Sequence, residues 1–516
     1  MKQALIFIAL SLCLSYSLQS QIVSIPDSIF KAKLIAAGVD TGGDSEISFQ
    51  EALAIDSLDL RAVYEPFPYL GFVDTISSLK GIEAFLNLEF LDISNQKIDT
   101  LDVTNNSLLT ILKAARVDPL ASVNLDNNLL LEELQLQENL NLTSLDISKQ
   151  ANLKILNISI TSIPTIGLNN QTNLQKLLGR RYIGNSMDVS NLTNLEILDL
   201  HTSNVTALDI SNNHKLKDLN AAASLLANIQ IAGNDSLTNL TVASTELTSL
   251  DLLGAPNLKI VWCGFSKLTS LNVAGLQQLT DLNCSSNQLT TLDVSNNTSL
   301  RYLSCEKNEL TQITFANNYL MTTVSCYANK LTNLDLTITN SPSLISIEGT
   351  DNLFTSLTLE DPNLQFLKLT DNPGLHFLDI TYSQGINTLL LQQMSQPIQV
   401  CVWTLPFPPT GVQVLDNGSP NITFLNCLIN TEDIVNQNIK VYPNPGSNIV
   451  HIAFEEQTTS GIDLTLYNSS GRAVIEKKSI SDLGEITVNI EAIPQGVYWL
   501  ELRTDEGRSF KKLVKQ

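Results

Sequence analysis

The chain has 516 residues, with 30 Lys+Arg against 52 Asp+Glu and a formal net charge of −22. So acidic a chain lacks the cationic surplus that phosphate neutralisation or a polybasic membrane anchor requires, which excludes nucleic acid as a partner. At 43% hydrophobic and 16% charged residues, the composition fits neither a disordered nor a membrane-spanning chain.

Residues 1–20 read as an export signal. Lys2 supplies the positive start, Ala4 to Leu14 form an apolar stretch too short to span a bilayer, and Ser20–Gln21 is the expected cleavage point. No later stretch has eighteen consecutive apolar residues, so no transmembrane segment is expected in the mature chain. Residues 21–60 read as a helical N-terminal cap. Pro26 starts a helix whose apolar residues are Ile25, Ile29, Phe30, Leu34 and Ile35. The run that follows, D-T-G-G-D-S-E-I-S-F-Q-E from Asp40 to Glu51, resembles an EF-hand calcium loop. The resemblance puts Asp40, Asp44, Ser48 and Glu51 at ligand positions. Gly42 stands in place of a further ligand and Ser45 in place of the turn glycine. Both departures weaken Ca2+ binding and favour a capping role.

From residue 61 to 400 one unit recurs. Leu258, Leu279, Leu300 and Met321 are spaced 21 apart, and the phase runs back to Leu88 and forward to Leu364, giving about 14 coils of 21–22 residues. The pattern L-x-x-L-x-L/C-x-x-N-x-L resembles the leucine-rich repeat. A second alternating pair, such as Leu208/Ile210 or Leu292/Val294, leaves little room for a helix on the other side. The resemblance is therefore to the bacterial, internalin-like branch. It implies a mainly β solenoid on the order of 65 Å long at the strand spacing of stacked coils.

Asn recurs after both strands, as in Asn139, Asn287, Asn213 and Asn297, where a side-chain amide can satisfy turn backbone groups. Cys263, Cys284, Cys305 and Cys326 share one inward position in successive coils. Four sulfurs in a row cannot surround a tetrahedral metal, so buried free thiols are expected. Outward on the second strand, Asp102, Asp146, Asp188, Asp209, Asp251, Asp293 and Asp335 form a polar column. It reads as a solvated face, with calcium bridging as the alternative.

The first-strand face carries Phe90, Trp262, Tyr302, Tyr327 and Phe366. Trp262, Tyr302 and Tyr327 fall within four coils, or about 15 Å, and are the candidate ligand-binding residues. Aromatics there stack on sugar rings, anchor a protein partner, or lie flat to cover the sheet. His201, His214, His376 and His451 are scattered, and no H-E-x-x-H, G-x-S-x-G or P-loop pattern occurs. No catalytic residue, and no cofactor beyond the weak calcium candidate, is expected.

Residues 401–437 close the repeat, and Cys401 and Cys427 are expected to pair, closing a 26-residue loop. Such a staple contributes roughly 3 kcal/mol. Residues 438–516 change character: short alternating strands punctuated by Pro and Gly predict an antiparallel β-sandwich. YPNP (Tyr442 to Pro445), LYNSSGR (Leu466 to Arg472), IPQGVY (Ile493 to Tyr498) and the terminal KKLVKQ, in that order, resemble the type A C-terminal sorting domain of type IX secretion cargo. That resemblance implies export to the periplasm of a Gram-negative bacterium, recognition by outer-membrane secretion machinery, and a final place on the cell surface or outside. The segment holds 9 Lys/Arg and 10 Asp/Glu, a net of −1, so nearly all the negative charge belongs to the repeat.

The expectation is an exported, non-enzymatic binding protein, an adhesin or recognition protein with a protein or glycan ligand on the solenoid face. A carbohydrate-binding module using the exposed aromatics is the alternative. A hydrolase with an unrecognised site is the weakest reading.

Overall fold

A three-residue strand cannot hold itself together, and each such strand here is paired in parallel with its counterpart one coil away. The computed structural model describes residues 21–516 apart from 63, 66–70, 73, 337–342, 418, 420–421, 428–438, 455–461, 469–472, 481–484, 505–506 and 516. The export segment 1–20 and the SSGR end of the LYNSSGR motif, residues 469–472, lie outside the described residues. The chain divides into two units, residues up to Leu289 with Asn296–Leu300, and Thr290–Ser295 with Arg301–Gln516.

The first unit opens with a helix at Ser28–Ala36, which buries Phe30 and Leu34. Its N-cap Asp27 accepts from the N–H groups of Ile29 and Phe30, both at 2.9 Å. The other oxygen of Asp27 accepts from Ser77 N, Ser77 Oγ and Ser78 N at 2.7, 2.8 and 3.0 Å. One carboxylate thus starts the helix and ties it to chain fifty residues on. Burial alone would raise its pKa, but the bonds from Phe30, Ser77 and Ser78 outweigh it and hold the group below the ordinary value.

The first-strand series of this unit has eleven members, from Ser57–Asp59 and Phe90–Asp92 to Asp281–Asn283. The register is constant: Leu58 faces Leu91, and Leu177 faces Leu198. Central residues such as Leu91, Leu112, Leu134 and Leu156 point inward and are fully buried. Each contributes about 1.5–3 kcal/mol by leaving water. The residues before and after point outward, as strand alternation requires.

After each of these strands from Phe90–Asp92 onward the chain turns through a left-handed residue. Asn95, Arg116, Glu138, Ile160, Arg181, Thr202, Ala223, Ser244, Phe265 and Ser286 form this column in the first unit, and none is glycine. Its N–H groups donate to the next coil, for instance Arg116 N to Gln137 O at 2.9 Å and Thr202 N to Ala222 O at 2.8 Å. Coil-to-coil bonding overrides the intrinsic preference against this conformation.

On the other side of the coil the ladder is intermittent. In the first unit it forms only at Thr100–Asp102 with Ser122–Asn124, and at Ala207–Asp209 with Asn228–Gln230. Pairs such as Leu145/Ile147 and Leu250/Leu252 are buried without it. In those coils the alternation reports burial but not a strand.

The second unit continues the pattern with six first-side strands, from Tyr302–Ser304 to Gln413–Leu415. Its other side carries a four-stranded parallel sheet, Ser356–Thr358, Phe377–Asp379, Ile398–Val402 and Ile422–Asn426. The coils outnumber those visible in the leucine phase because the outermost steps are irregular. Leu58 to Leu91 spans 91 − 58 = 33 residues, and Leu389 to Val414 spans 414 − 389 = 25. Cys401 and Cys427 form a disulfide, with Cα atoms 5.2 Å apart, at the last two of these strands.

At the C-terminus, Ile439–Tyr442, Ile449–Phe454 and Glu485–Asn489 form one antiparallel sheet. Ala473–Ile480, Ile462–Asn468, Gly496–Thr504 and Gly507–Lys515 form another. Val450, Ile452, Leu464, Leu466, Val488, Leu500 and Leu502 make up most of their common core. The motif residues meet around its edge. Val514 N donates to Asn444 Oδ1 at 2.8 Å, Tyr498 OH to Pro494 O at 2.7 Å, and the buried Lys515 Nζ to Ile490 O and Glu491 O at 2.6 and 2.7 Å.

Candidate functional site

The outward positions of the first-side strands carry the aromatics expected to contact a ligand. Trp262 ends the strand Ile260–Trp262, in register with Thr241 on one side and Asn283 on the other. Its indole is 48% exposed. In the second unit, Tyr302 begins its strand and is 51% exposed, in register with Thr323. Tyr327 lies two residues past the end of strand Thr323–Ser325, half-buried, with the Lys307 ammonium 5.8 Å from its ring centre. The three expected ligand-binding aromatics thus occupy three different positions of the repeat and do not share a column. Phe90 and Phe366 are half-buried against the sheet, the former under Lys113 at 5.7 Å.

Sequence reasoning passed over exposed aromatics outside the strands, Tyr319, Tyr382 and Phe265. Phe265, three residues after Trp262, is 61% exposed and holds the left-handed turn position at φ +55°. It belongs to neither strand, so alternation gave no signal. A 21-residue alignment of the turn would have shown it among Ser244, Ser286 and Ala223.

The EF-hand-like loop is spent on itself. Glu51 Oε1 accepts from Thr41 N, Thr41 Oγ1 and Gly42 N at 2.8, 3.0 and 2.9 Å. Its Oε2 accepts from Ser48 N and Ser48 Oγ at 2.8 and 2.9 Å, which completes a capping box for the helix Phe49–Leu53. Hydrogen bonding from Ser48 foremost, then from Gly42 and Thr41, pushes Glu51 down to about 2. Asp40 accepts from Gly43 N and Ser45 N, and Asp44 from Glu46 N. Ser45 takes the left-handed conformation at φ +66°.

The outward Asp column has a local task as well. Asp146, Asp188, Asp209, Asp251 and Asp293 each accept the N–H two residues on, at 2.9–3.0 Å. This shapes the following turn. The thiols of Cys263, Cys284, Cys305 and Cys326 are buried and free of disulfides. Burial pushes Cys263 and Cys326 up to about 12, far from the thiolate that reactivity needs. Among the described residues, no group of three or more His, Cys, Asp or Glu side chains is placed to hold a metal ion. Nor is any described helix long and apolar enough to cross a membrane.

Residues 440–516 match the family described as "Secretion system C-terminal sorting domain". By structure, the chain is similar to the functional domain of InlJ from Listeria monocytogenes, whose description includes a cysteine ladder. There the TM-score is 0.61 at 21% identity, over 96% of this chain and 98% of that one. An internalin, InlF, from Listeria monocytogenes is also similar, with TM-score 0.45 and 23% identity over 67% and 90% of the two chains. So is a leucine-rich repeat protein from Bacteroides eggerthii, with TM-score 0.45 and 12% identity over 63% and 70%. No curated protein sequence is significantly similar to the chain. The fold is therefore a leucine-rich-repeat solenoid of the internalin-like kind, and the C-terminal segment is a secretion sorting domain.

Proposed function

We propose that this is a type IX cargo of a Gram-negative bacterium, carried to the cell surface or beyond, where the repeat recognises a macromolecule as an adhesin or recognition protein. The observation that carries this reading is the sorting domain at residues 440–516 following a repeat that turns exposed aromatics outward. A solenoid suits recognition because its outward positions tolerate variation while the inward leucines hold the stack. Trp262, Tyr302 and Tyr327, together with Phe265, are the residues this reading assigns to ligand contact. The calcium reading of Asp40, Asp44, Ser48 and Glu51 gives way to a capping role, because their oxygens already serve loop N–H and hydroxyl donors.

Deleting residues 438–516 tests the export half. The truncated chain should accumulate in the periplasm, and undiminished appearance outside the cell would refute the sorting role. For recognition, a photocrosslinker on the Trp262 face of the full mature chain should capture a surface macromolecule. No capture at that face alongside capture elsewhere would move the binding surface.

A further inference from the structure

We infer that the coil carrying Trp262 and Phe265 is a platform for a neutral saccharide chain, which specifies the ligand class and rests on the repeat being a binding surface. Two aromatics three residues apart are both about half exposed or more, at 48% and 61%. Neither is accounted for by folding. Trp262 sits where the neighbouring coils carry the small polar Thr241 and Asn283, which serve the sheet equally well. Phe265 holds a left-handed backbone at φ +55°, an unfavourable place for a bulky side chain, and buries little in return. The left-handed backbone is common to the whole turn column, but a large apolar ring left 61% exposed where the flanking coils carry serine points to a ligand rather than to packing.

The surroundings select the ligand's chemistry. Gly264 separates the two aromatics in the sequence, and a Cβ there would fall 2.8 Å from both Asn283 Oδ1 and Ser285 Oγ, so a side chain at this position would crowd those two polar groups. Phe265 is flanked in the turn column by Ser244 and Ser286. The apolar area is thus confined to ring surfaces set among small hydroxyl and amide groups, which suits a pyranose, with its C–H face and its rim of hydroxyls. A protein hot spot would instead call for a wider apolar surround that excludes water.

The polar rim is also held in place. Asn283 Oδ1 accepts from Ser285 N and Oγ at 3.1 and 2.7 Å, which fixes its amide with Nδ2 turned away from that turn as a donor. The nearby Lys267 is paired with Glu246, so its charge is not free to favour an anionic sugar.

The full mature chain is titrated with cellohexaose, laminarihexaose, chitohexaose and a sulfated heparin hexasaccharide, followed by calorimetry. At least one neutral hexaose should bind, more tightly than the sulfated one. Trp262→Ala should weaken it tenfold or more and Phe265→Ala several-fold, with Trp262→Tyr largely retaining affinity and thermal melting unchanged. Absence of binding to every neutral hexaose overturns the proposal, as does tighter binding of the sulfated sugar or indifference to both alanine substitutions. If a protein captured at this face is lost on Trp262→Ala while no sugar binds, the saccharide assignment falls and the binding surface stands. Loss of both sugar binding and capture removes the surface itself.

Discussion

Both turns of the coil carry asparagine, but they use it differently. After the first strand, Asn139 Nδ2 donates to Ala114 O and Leu136 O at 2.8 Å, while its Oδ1 accepts from Val117 N at 2.8 Å. Asn329 repeats the arrangement, with Leu310 N donating to its Oδ1 at 3.0 Å. On the other side, Asn106, Asn128 and Asn213 also donate to two carbonyls, as in Asn213 to Val189 O and Leu192 O at 2.9 Å. Their Oδ1 atoms, however, are buried without a partner among the described residues. In these three coils the residue four earlier, Asp102, Asn124 or Asp209, has already taken the intervening N–H. Where Thr314 replaces that residue, Ala316 N donates to Asn318 Oδ1 at 3.1 Å. A ladder is therefore set by competition among neighbouring acceptors, and the same residue type is worth different amounts from turn to turn.

The comparison predicts an asymmetry in stability. Asn139→Ala leaves two carbonyls and one N–H unpaired and should cost about 3–4 kcal/mol in urea unfolding of the mature chain. Asn213→Ala loses two donated bonds but also removes an orphaned oxygen, so about half that cost is expected. Equal losses would mean that the second ladder is satisfied after all.

Asp361 sharpens the same point. It stands three residues before Leu364, as Asn213 stands three before Leu216, but a carboxylate has no N–H to donate. Burial, followed by the charge of Glu360, pushes its pKa up to about 6. A raised carboxyl pKa contributes its stability below the unfolded value near 4, and that contribution is lost as pH rises through 6. Asp361→Asn should accordingly stabilise the chain by about 1–2 kcal/mol above pH 6, allowing for solvent screening, and by nothing below pH 4. A gain that does not vary with pH would assign the effect elsewhere. The smallest expected effect is that of Thr202→Asn. Exposed and left-handed at φ +59°, this position should gain up to about 1 kcal/mol from a residue that tolerates the conformation.

Much of this was legible in the residues. The 21-residue phase located the coils, the inward leucines and the four buried thiols, and the order of Pro–Gly motifs located the C-terminal sandwich. The left-handed column was not legible, because recurrent glycine would have been its only signal and it holds Arg116, Ile160 and Thr202 instead. Where the first ladder lacks asparagine, some coils close differently: Thr161, Ser224 and Thr245 donate a hydroxyl to the carbonyl three residues back. The proposed aromatic site was only half visible: Trp262 announced itself by strand alternation, and Phe265 did not.

Period and polarity, read along the chain, were enough to establish a stack of thin parallel coils, because burial of one face recurs with the coil and leaves its mark on every repeat. Which acceptor wins each turn N–H, which turn residue is forced left-handed, and which aromatics stand clear of their neighbours were decided only in three dimensions. Those outcomes depend on groups about 21 residues apart meeting across adjacent coils, where a side chain's worth is set by what its neighbours have already taken.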